Sequence, residues 1–417
     1  MLFGSSGIRG VFDRALLDLS IKVGTACGSI NKSIVLGTDT RTTGGILSSG
    51  FLAGALAAGC DILSGGIAPT PTVAYSAKSC DSGCCITASH NPEQYNGMKL
   101  INPDGSAYTK EQQEEIERLI DQQNLCDWAE QGICTPVDII TPHRNAVLSS
   151  FSIEKEISMV LDCGGGAGSV ITPLVLSDAG IKAECINCHA SGSFPRPSEP
   201  LECNLSYIPG IVKSGNFDGA LIHDGDADRF MAFDNSGRYI SGDHLLMLFT
   251  EYLGAKNIVT TADASMAVEE IAGVRRTPVG DSFVSGELRK GGDFGGEPSG
   301  SWIFPDHSLC PDGIYAAMLF CEIASSMDVA ERIDLMPDYP MIRKSIECPR
   351  ARDILISMGA ENPTDGIRFT DEDGWCLVRA SGTEPKVRIT AEGRTRNAAK
   401  EMMEKGFYAL KSAKRGE

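Results

Sequence analysis

Short apolar runs alternate along most of this chain with longer segments whose apolar residues recur at helical spacing. SIVLGTDTR, from Ser33, reads as a short buried strand ending in a polar loop. ILSSGFLAGALAAG, from Ile46, is small and apolar all round, the composition of a closely packed helix. CDILSGG, from Cys60, predicts a second strand. APTPTVAYSA, from Ala68, predicts a proline-marked turn into a helix, and CCITASHNP, from Cys84, a third strand running into a loop. Over residues 110–124, Ile116, Leu119 and Ile120 share one face, which predicts an amphipathic helix.

A second block opens near Ser158, where SMVLDCGGGAGS reads as a strand, a glycine turn and a helix start at about Ser169. FDGALIHDGDADR, from Phe217, is a strand ending in an acidic loop. A third block begins near Gly237. It holds a helix over residues 244–253, the strand NIVTTAD from Asn257, and the loops TPVGDSF and GGEPSGSW. Residues 336–340 read as a linker, and the last block holds strands and a basic amphipathic helix over residues 397–411. The alternation predicts an α/β fold in the first three blocks, with domains at residues 1–140, 141–236, 237–335 and 336–417. No internal repeat is visible in the sequence.

Composition narrows the function. At 417 residues the chain exceeds what one core usually holds. Its net charge of −18, from 37 Lys+Arg against 55 Asp+Glu, repels the phosphate backbone of nucleic acid, which is set aside as a partner. An anionic small substrate requires basic residues gathered in a cleft. No run is long and apolar enough to span a membrane, so none is expected as a partner. MLFGSSGIRG at the start is neither a signal nor a transit peptide, and the chain is expected to be cytoplasmic, with its 15 cysteines mostly buried thiols. Cys185, Cys188 and His189 match a haem-attachment spacing, but that chemistry normally needs export, so a strand end with incidental cysteines is the reading kept.

Four polar loops carry candidate chemistry. In Thr87-Ala-Ser89-His90-Asn91-Pro92 a serine lies beside a histidine, with Lys99 following; a hydroxyl needs such help to act as a nucleophile, and a surface turn is the alternative. Asp224, Asp226 and Asp228 alternate before Arg229, and three close carboxylates call for a cation. An EF-hand would want Gly at position 229 and Glu at 235, where Arg and Asn stand, so three ligands with open positions point to Mg²⁺. Glu297 and Ser299, in GGEPSG, suit sugar hydroxyls, although a plain turn has the same composition. Arg379, Ser381, Gly382, Thr383, Lys386 and Arg388 combine hydroxyls, an open backbone N–H and cations in the manner of a phosphate cradle. The turn Gly164-Gly-Gly166-Ala-Gly168-Ser169 invites a dinucleotide reading, but its spacing fails and a tight strand-to-helix turn fits better.

Taken in order, FGSSGIRG, TASHNP, DGDADR, GEPSG and RASGTEPKVR resemble the α-D-phosphohexomutase family, across residues 3 to about 390. The resemblance implies three similar α/β mixed-sheet domains and a C-terminal TBP-like α+β domain around a central cleft. It implies that Ser89 is the phosphoserine and, with Asp224, Asp226 and Asp228, holds Mg²⁺. Arg9, Lys99, His90 and Arg229 would surround the transferring phosphoryl group. Gly280, Asp281, Glu297 and Ser299 would contact the sugar, and Arg379, Ser381, Gly382, Thr383 and Arg388 its distal phosphate. The implied partner is a hexose or hexosamine monophosphate, turned over through a bisphosphorylated hexose by a monomer or homodimer.

Ser301 stands where some bacterial members place a histidine proposed as general base, and the next histidine is His307. Lys99 and His90 are then the base candidates. GEPSG followed by Ser-Trp, with the preceding VGD, resembles the archaeal branch assigned to glucosamine phosphates; phosphomannomutase/phosphoglucomutase is the alternative. A metal-dependent sugar phosphatase would use the same serine and acidic loop, and phosphate release separates it from isomerisation.

Overall fold

The computed structural model describes residues 2–4, 7–122, 124–381 and 385–415. Gly382 and Thr383 of the cradle lie outside the described residues.

Four sheets follow one another along the chain. The first runs, edge to edge, through Ile8–Val11, Tyr95–Ile101, Ser82–Ile86, Ser33–Thr38, Asp61–Ile67 and Cys134–Pro136. Its interior pairs are parallel, while Tyr95–Ile101 returns antiparallel to Ser82–Ile86. The second runs through Tyr239–Ile240, Phe230–Phe233, Gly219–His223, Ser158–Asp162 and Lys182–Ile186, and Phe230–Phe233 is again the antiparallel return. The third runs through Gly273–Thr277, Asn257–Thr261, Phe294–Glu297 and Ser301–Ile303, closing with an antiparallel pair. The fourth is wholly antiparallel, Met341–Glu347, Lys386–Gly393, Gly374–Ala380 and Ile367–Thr370, with the helix Arg396–Arg415 packed against it.

This topology shows a repeat that the residues conceal. In each of the first three sheets the chemistry-bearing loop is the connection into an antiparallel return: residues 87–94, 224–229 and 298–300; in the fourth the cradle falls in sequence between the paired strands Gly374–Ala380 and Lys386–Gly393. Such hairpin connections expose backbone at the carboxyl ends of the preceding strands, where open α/β sheets bind ligands.

Packing follows composition. The helix Gly44–Ala57 lies against Arg14–Ile30 so closely that a Cβ at Gly24 would meet the Phe51 carbonyl oxygen at 2.1 Å, and one at Gly54 the Ile21 oxygen at 2.1 Å. Gly24 and Gly54 are therefore there for close approach, against their cost in a helix interior. The second and third sheets share one apolar core, where Phe230, Phe249, Phe294, Trp302 and Phe320 pack together. Trp302, fully buried, donates from Nε1 to the Phe230 carbonyl at 2.8 Å. The first and fourth sheets have cores of their own. The cysteines are free thiols, most of them buried. Among the described residues no helix is long and apolar enough to cross a membrane.

Candidate active site

Ser89 leaves the strand Ser82–Ile86 in a left-handed conformation, φ 50°, unusual for a residue with a side chain. What holds it is buried charge. Arg41, 3 % exposed, pairs through Nε with Asp39 Oδ2 at 3.0 Å. Its two terminal nitrogens donate to the carbonyls of Ser89, Asn91, Pro92 and Tyr95, at 2.6–2.8 Å. One planar cation thus ties down the whole loop, using the fork geometry peculiar to arginine. Asp39 also accepts from Thr87 Oγ1 at 2.6 Å, and burial outweighs Arg41 to push its carboxyl up to about 6. The resemblance named neither residue. Asp39-Thr-Arg41 at the end of a predicted strand was the available signal.

The acidic loop reaches Ser89 from the second sheet. Ser89 Oγ donates to Asp224 Oδ2 at 2.8 Å and lies 3.5 Å from Asp228 Oδ1. One oxygen from each of Asp224, Asp226 and Asp228 falls within 4.8 Å of the others, all three residues buried. The loop rests on the glycine turn of the same sheet. Ala167 N donates to Gly225 O at 2.8 Å, and a Cβ at Gly166 would come 2.6 Å from that oxygen. The Gly164 turn is therefore a strand-to-helix connection that seats the acidic loop. Ala227, φ 52°, is a second left-handed residue with a side chain.

The first sheet supplies positive charge to this trio. Lys99 Nζ, on Tyr95–Ile101, lies 2.7 Å from Asp226 Oδ2 and 2.5 Å from Asp228 Oδ2. Thr70 Oγ1 donates to the same Asp226 oxygen at 2.5 Å. Burial pushes the Lys99 amine down, but the two aspartates outweigh it and hold it as an ammonium. Lys99 in this arrangement is a cation with no free lone pair. Burial, then Arg229 and Arg9, push His90 down to about 2, so its imidazole is neutral; Nδ1 lies 3.4 Å from Ser89 Oγ. Arg9 Nη1 donates to Asn91 Oδ1 at 3.1 Å, and Arg229 Nη1 lies 3.3 Å from Glu199 Oε1.

The trio fits a divalent cation. Asp226 Oδ1 is buried without a hydrogen-bond partner. Burial, then Asp228 and Asp226, drive Asp224 well above the carboxylate range, and burial, then Asp226, raise Asp228. A hard cation among these oxygens removes both costs.

In the third sheet Glu297 Oε1 accepts from Gly280 N at 2.7 Å, and Oε2 from Ser299 Oγ at 3.2 Å. Burial, then Asp281 and Asp263, push Glu297 up to about 7. In the fourth sheet Arg379 and Arg388 face each other across the hairpin, and Ser381 Oγ is buried with no hydrogen-bond partner. Ser89, Lys99, Arg229 and the three aspartates thus form one cluster, with Arg9 and His90 at its edge. Gly280, Glu297 and Ser299 form a second group, beside Asp281, and Arg379, Ser381 and Arg388 a third.

Known proteins resemble this chain throughout. Residues 1–125, 140–237 and 241–339 match the phosphoglucomutase/phosphomannomutase alpha/beta/alpha domains I, II and III, and residues 343–406 match the C-terminal domain of that family. A probable phosphoglucosamine mutase of Methanococcoides burtonii is 41% identical over 413 residues, covering 94% of this chain and 95% of the relative. A phosphoglucomutase/phosphomannomutase family protein from Burkholderia thailandensis superposes with a TM-score of 0.88 at 24% identity, over 100% of this chain and 98% of that one. An Aspergillus fumigatus N-acetylphosphoglucosamine mutase, solved in complex with GlcNAc-6P and magnesium, has a TM-score of 0.61 at 16% identity, over 99% and 96% of the two chains.

Proposed function

Because this chain belongs to the phosphoglucomutase/phosphomannomutase family of isomerases, we propose that it interconverts glucosamine 6-phosphate and glucosamine 1-phosphate. The observation that carries the mechanism is the Ser89 hydroxyl 2.8 Å from Asp224, inside a buried trio of aspartates. The archaeal relative, named for glucosamine phosphate, supports the substrate.

Phosphorylated Ser89 carries about −1.5 to −2 charge, so an anionic sugar approaches only if cations offset the repulsion. Arg9, Lys99 and Arg229 supply that charge. Asp224, Asp226 and Asp228, with a phosphate oxygen on Ser89, would hold Mg²⁺, and the ion would supply positive charge to the transferring group. Glu297, Ser299, Asp281 and the Gly280 backbone orient the sugar. Arg379, Ser381, Gly382, Thr383 and Arg388 hold the distal phosphate. The phosphoryl group leaves Ser89 for the free sugar hydroxyl, giving a bisphosphorylated sugar. That sugar turns over in the cleft and returns its other phosphate to Ser89. Of the two base candidates Lys99 is held as an ammonium and only neutral His90 offers a lone pair, 3.4 Å from Ser89 Oγ. Because burial, Arg229 and Arg9 resist its protonation, it takes a hydroxyl proton only with phosphate charge beside it. The reaction is placed in the cytoplasm.

Intact-mass and peptide mapping test this reading. Ser89 should carry phosphate, lose it to glucosamine 6-phosphate or 1-phosphate, and regain it from the bisphosphorylated sugar. Faster exchange with mannose or glucose phosphates would assign the alternative substrates. Net release of inorganic phosphate without isomerisation would make the chain a phosphatase.

A further inference from the structure

His307, the histidine that follows the loop of Glu297 and Ser299, belongs to none of the three groups of the candidate active site. Its backbone reaches the surface, but its side chain is 7% exposed and turned inward. Nε2 lies 3.3 Å from Asp312 Oδ2 and, although buried, has no hydrogen-bond partner. His143, fully buried, brings its own Nε2 to the same oxygen, at 2.8 Å. The ligand atoms of His143, His307 and Asp312 fall within 4.8 Å of one another. We propose that these three side chains form a second, imidazole-rich metal site that takes Zn²⁺ or a similar first-row divalent ion.

The donor set selects the ion. Two imidazole nitrogens and one carboxylate oxygen suit Zn²⁺, Co²⁺ or Ni²⁺, whereas Mg²⁺ prefers oxygen ligands. Three protein ligands leave a fourth position for water. Zinc bonds of about 2.0–2.1 Å in a tetrahedral shell set ligand atoms roughly 3.3 Å apart. His307 and Asp312 already have that separation, and His143 must withdraw by about half an ångström to match it.

The surroundings have the form of a second coordination shell. The other ring nitrogen of His143, Nδ1, lies 2.8 Å from Thr72 Oγ1, so an Nδ1–H donated there leaves the Nε2 lone pair on the metal side. Asp312 Oδ1 accepts from the backbone N–H groups of Ile314 and Tyr315, both at 2.9 Å, at the start of the helix Gly313–Ser326. Its Oδ2 is thereby aimed at the imidazoles. Tyr75 stacks on both rings, with centroids 5.3 Å away, and Tyr315 lies 4.5 Å from His307.

The site joins three parts of the chain: the helix Thr70–Ala77, the helix Ile140–Ser149, and the loop leading into Gly313–Ser326. One helical turn serves both metal sites, because Thr70 bonds Asp226 and Thr72 bonds His143. A metal here ties the second domain, through His143, to the third, through His307 and Asp312, with Thr72 of the first domain in its outer shell.

The test titrates Co²⁺ into the full chain, stripped of metal and returned to excess Mg²⁺ so that the aspartate site is filled. The expected result is one equivalent bound, with visible bands of a low-coordinate nitrogen/oxygen site and no near-ultraviolet thiolate charge-transfer band. Binding should be lost in His307→Ala, weakened about 10–100-fold in Thr72→Val, and unchanged in Cys188→Ser. In the unsubstituted chain two imidazole N–H resonances should be shifted by the bound Co²⁺, a readout independent of whether any variant folds. A thiolate band, no binding above the Mg²⁺ background, or unaltered binding in His307→Ala would overturn the proposal.

Discussion

The junction around Ser89 and the hairpin of the fourth sheet both gather charged side chains, yet they are held in opposite ways. At Ser89 the supports are buried and cross between sheets: Arg41 grips four loop carbonyls, and Lys99 and Thr70 of the first domain bind Asp226 of the second. Among the described residues the buried contact that seats the fourth sheet on the third domain is Glu392, which accepts from Ser265 Oγ at 2.5 Å and Met266 N at 2.8 Å and is held in its own sheet by Trp375 Nε1 at 2.6 Å. Around it are exposed contacts, such as Arg394 with Glu270, of the kind that contribute only about 0–1 kcal/mol. In the proposed reaction Ser89 would donate and recover a phosphoryl group, and it sits on the rigid junction. The cradle would hold a distal phosphate in two sugar orientations, and it sits on the part with the weaker seat.

The comparison is sharpened most by removing the hydroxyl itself. Ser89→Ala should lower turnover by on the order of 10⁴-fold or more while leaving the thermal unfolding midpoint nearly unchanged. Full activity in that variant would show that the rigid junction serves something else. Arg41→Met tests the rigidity directly. It leaves Asp39 buried without its partner, and the expected loss is about 3–5 kcal/mol in urea unfolding. Residual folded enzyme should have a kcat reduced about 100-fold with KM little changed, because the loop is misplaced and the sugar sites are intact. Arg41→Lys keeps the charge but loses the fork, and should recover stability better than kcat.

Glu297, the carboxylate proposed to contact the sugar, lies between the two extremes, and pH reads it. Glu297 is pushed up to about 7, by burial first and then by Asp281 and Asp263, from an ordinary value of 4.5. The folded state therefore holds this proton more tightly than the unfolded chain. The resulting stabilisation is full below pH 4.5 and is lost as pH rises through about 7. Glu297→Gln removes the titration and should gain, relative to the parent chain, up to roughly 3 kcal/mol between about pH 4 and pH 8, while binding sugar phosphate more weakly. A pH-independent difference would mean that Glu297 is not the group titrating. The smallest effect is expected at the seat of the fourth domain. Glu392→Gln should cost about 1–2 kcal/mol and speed amide exchange at Met266, with KM rising more than kcat falls. Equal protection in both chains would remove the contrast between the two regions.

Much of the architecture was legible from periodicity. The strand at Ser33, the helix from Ile46 and the amphipathic helix around Ile116 appear as Ser33–Thr38, Gly44–Ala57 and Lys110–Ile120. The proline-marked segment from Ala68 became the helix Thr70–Ala77, with proline in its first turn, where the absent N–H costs nothing. The repeat of hairpin loops was not legible, because it is a repeat of topology carried by unrelated residues.

The sequence by itself determined which residues were available for chemistry. A serine before histidine, three alternating aspartates and a cluster of arginines around glycine are local patterns, and local patterns survive in one dimension. Tertiary structure alone decided what each became. Lys99 is an ammonium because two aspartates from another domain lie within 2.7 Å of it. Arg41 became the clamp of the serine loop, although it stands 48 residues from Ser89. His307 was turned away from the sugar loop toward His143 and Asp312. Charge state and hydrogen-bond role depend on burial and on neighbours distant in the chain, and neither exists until the sheets have packed together.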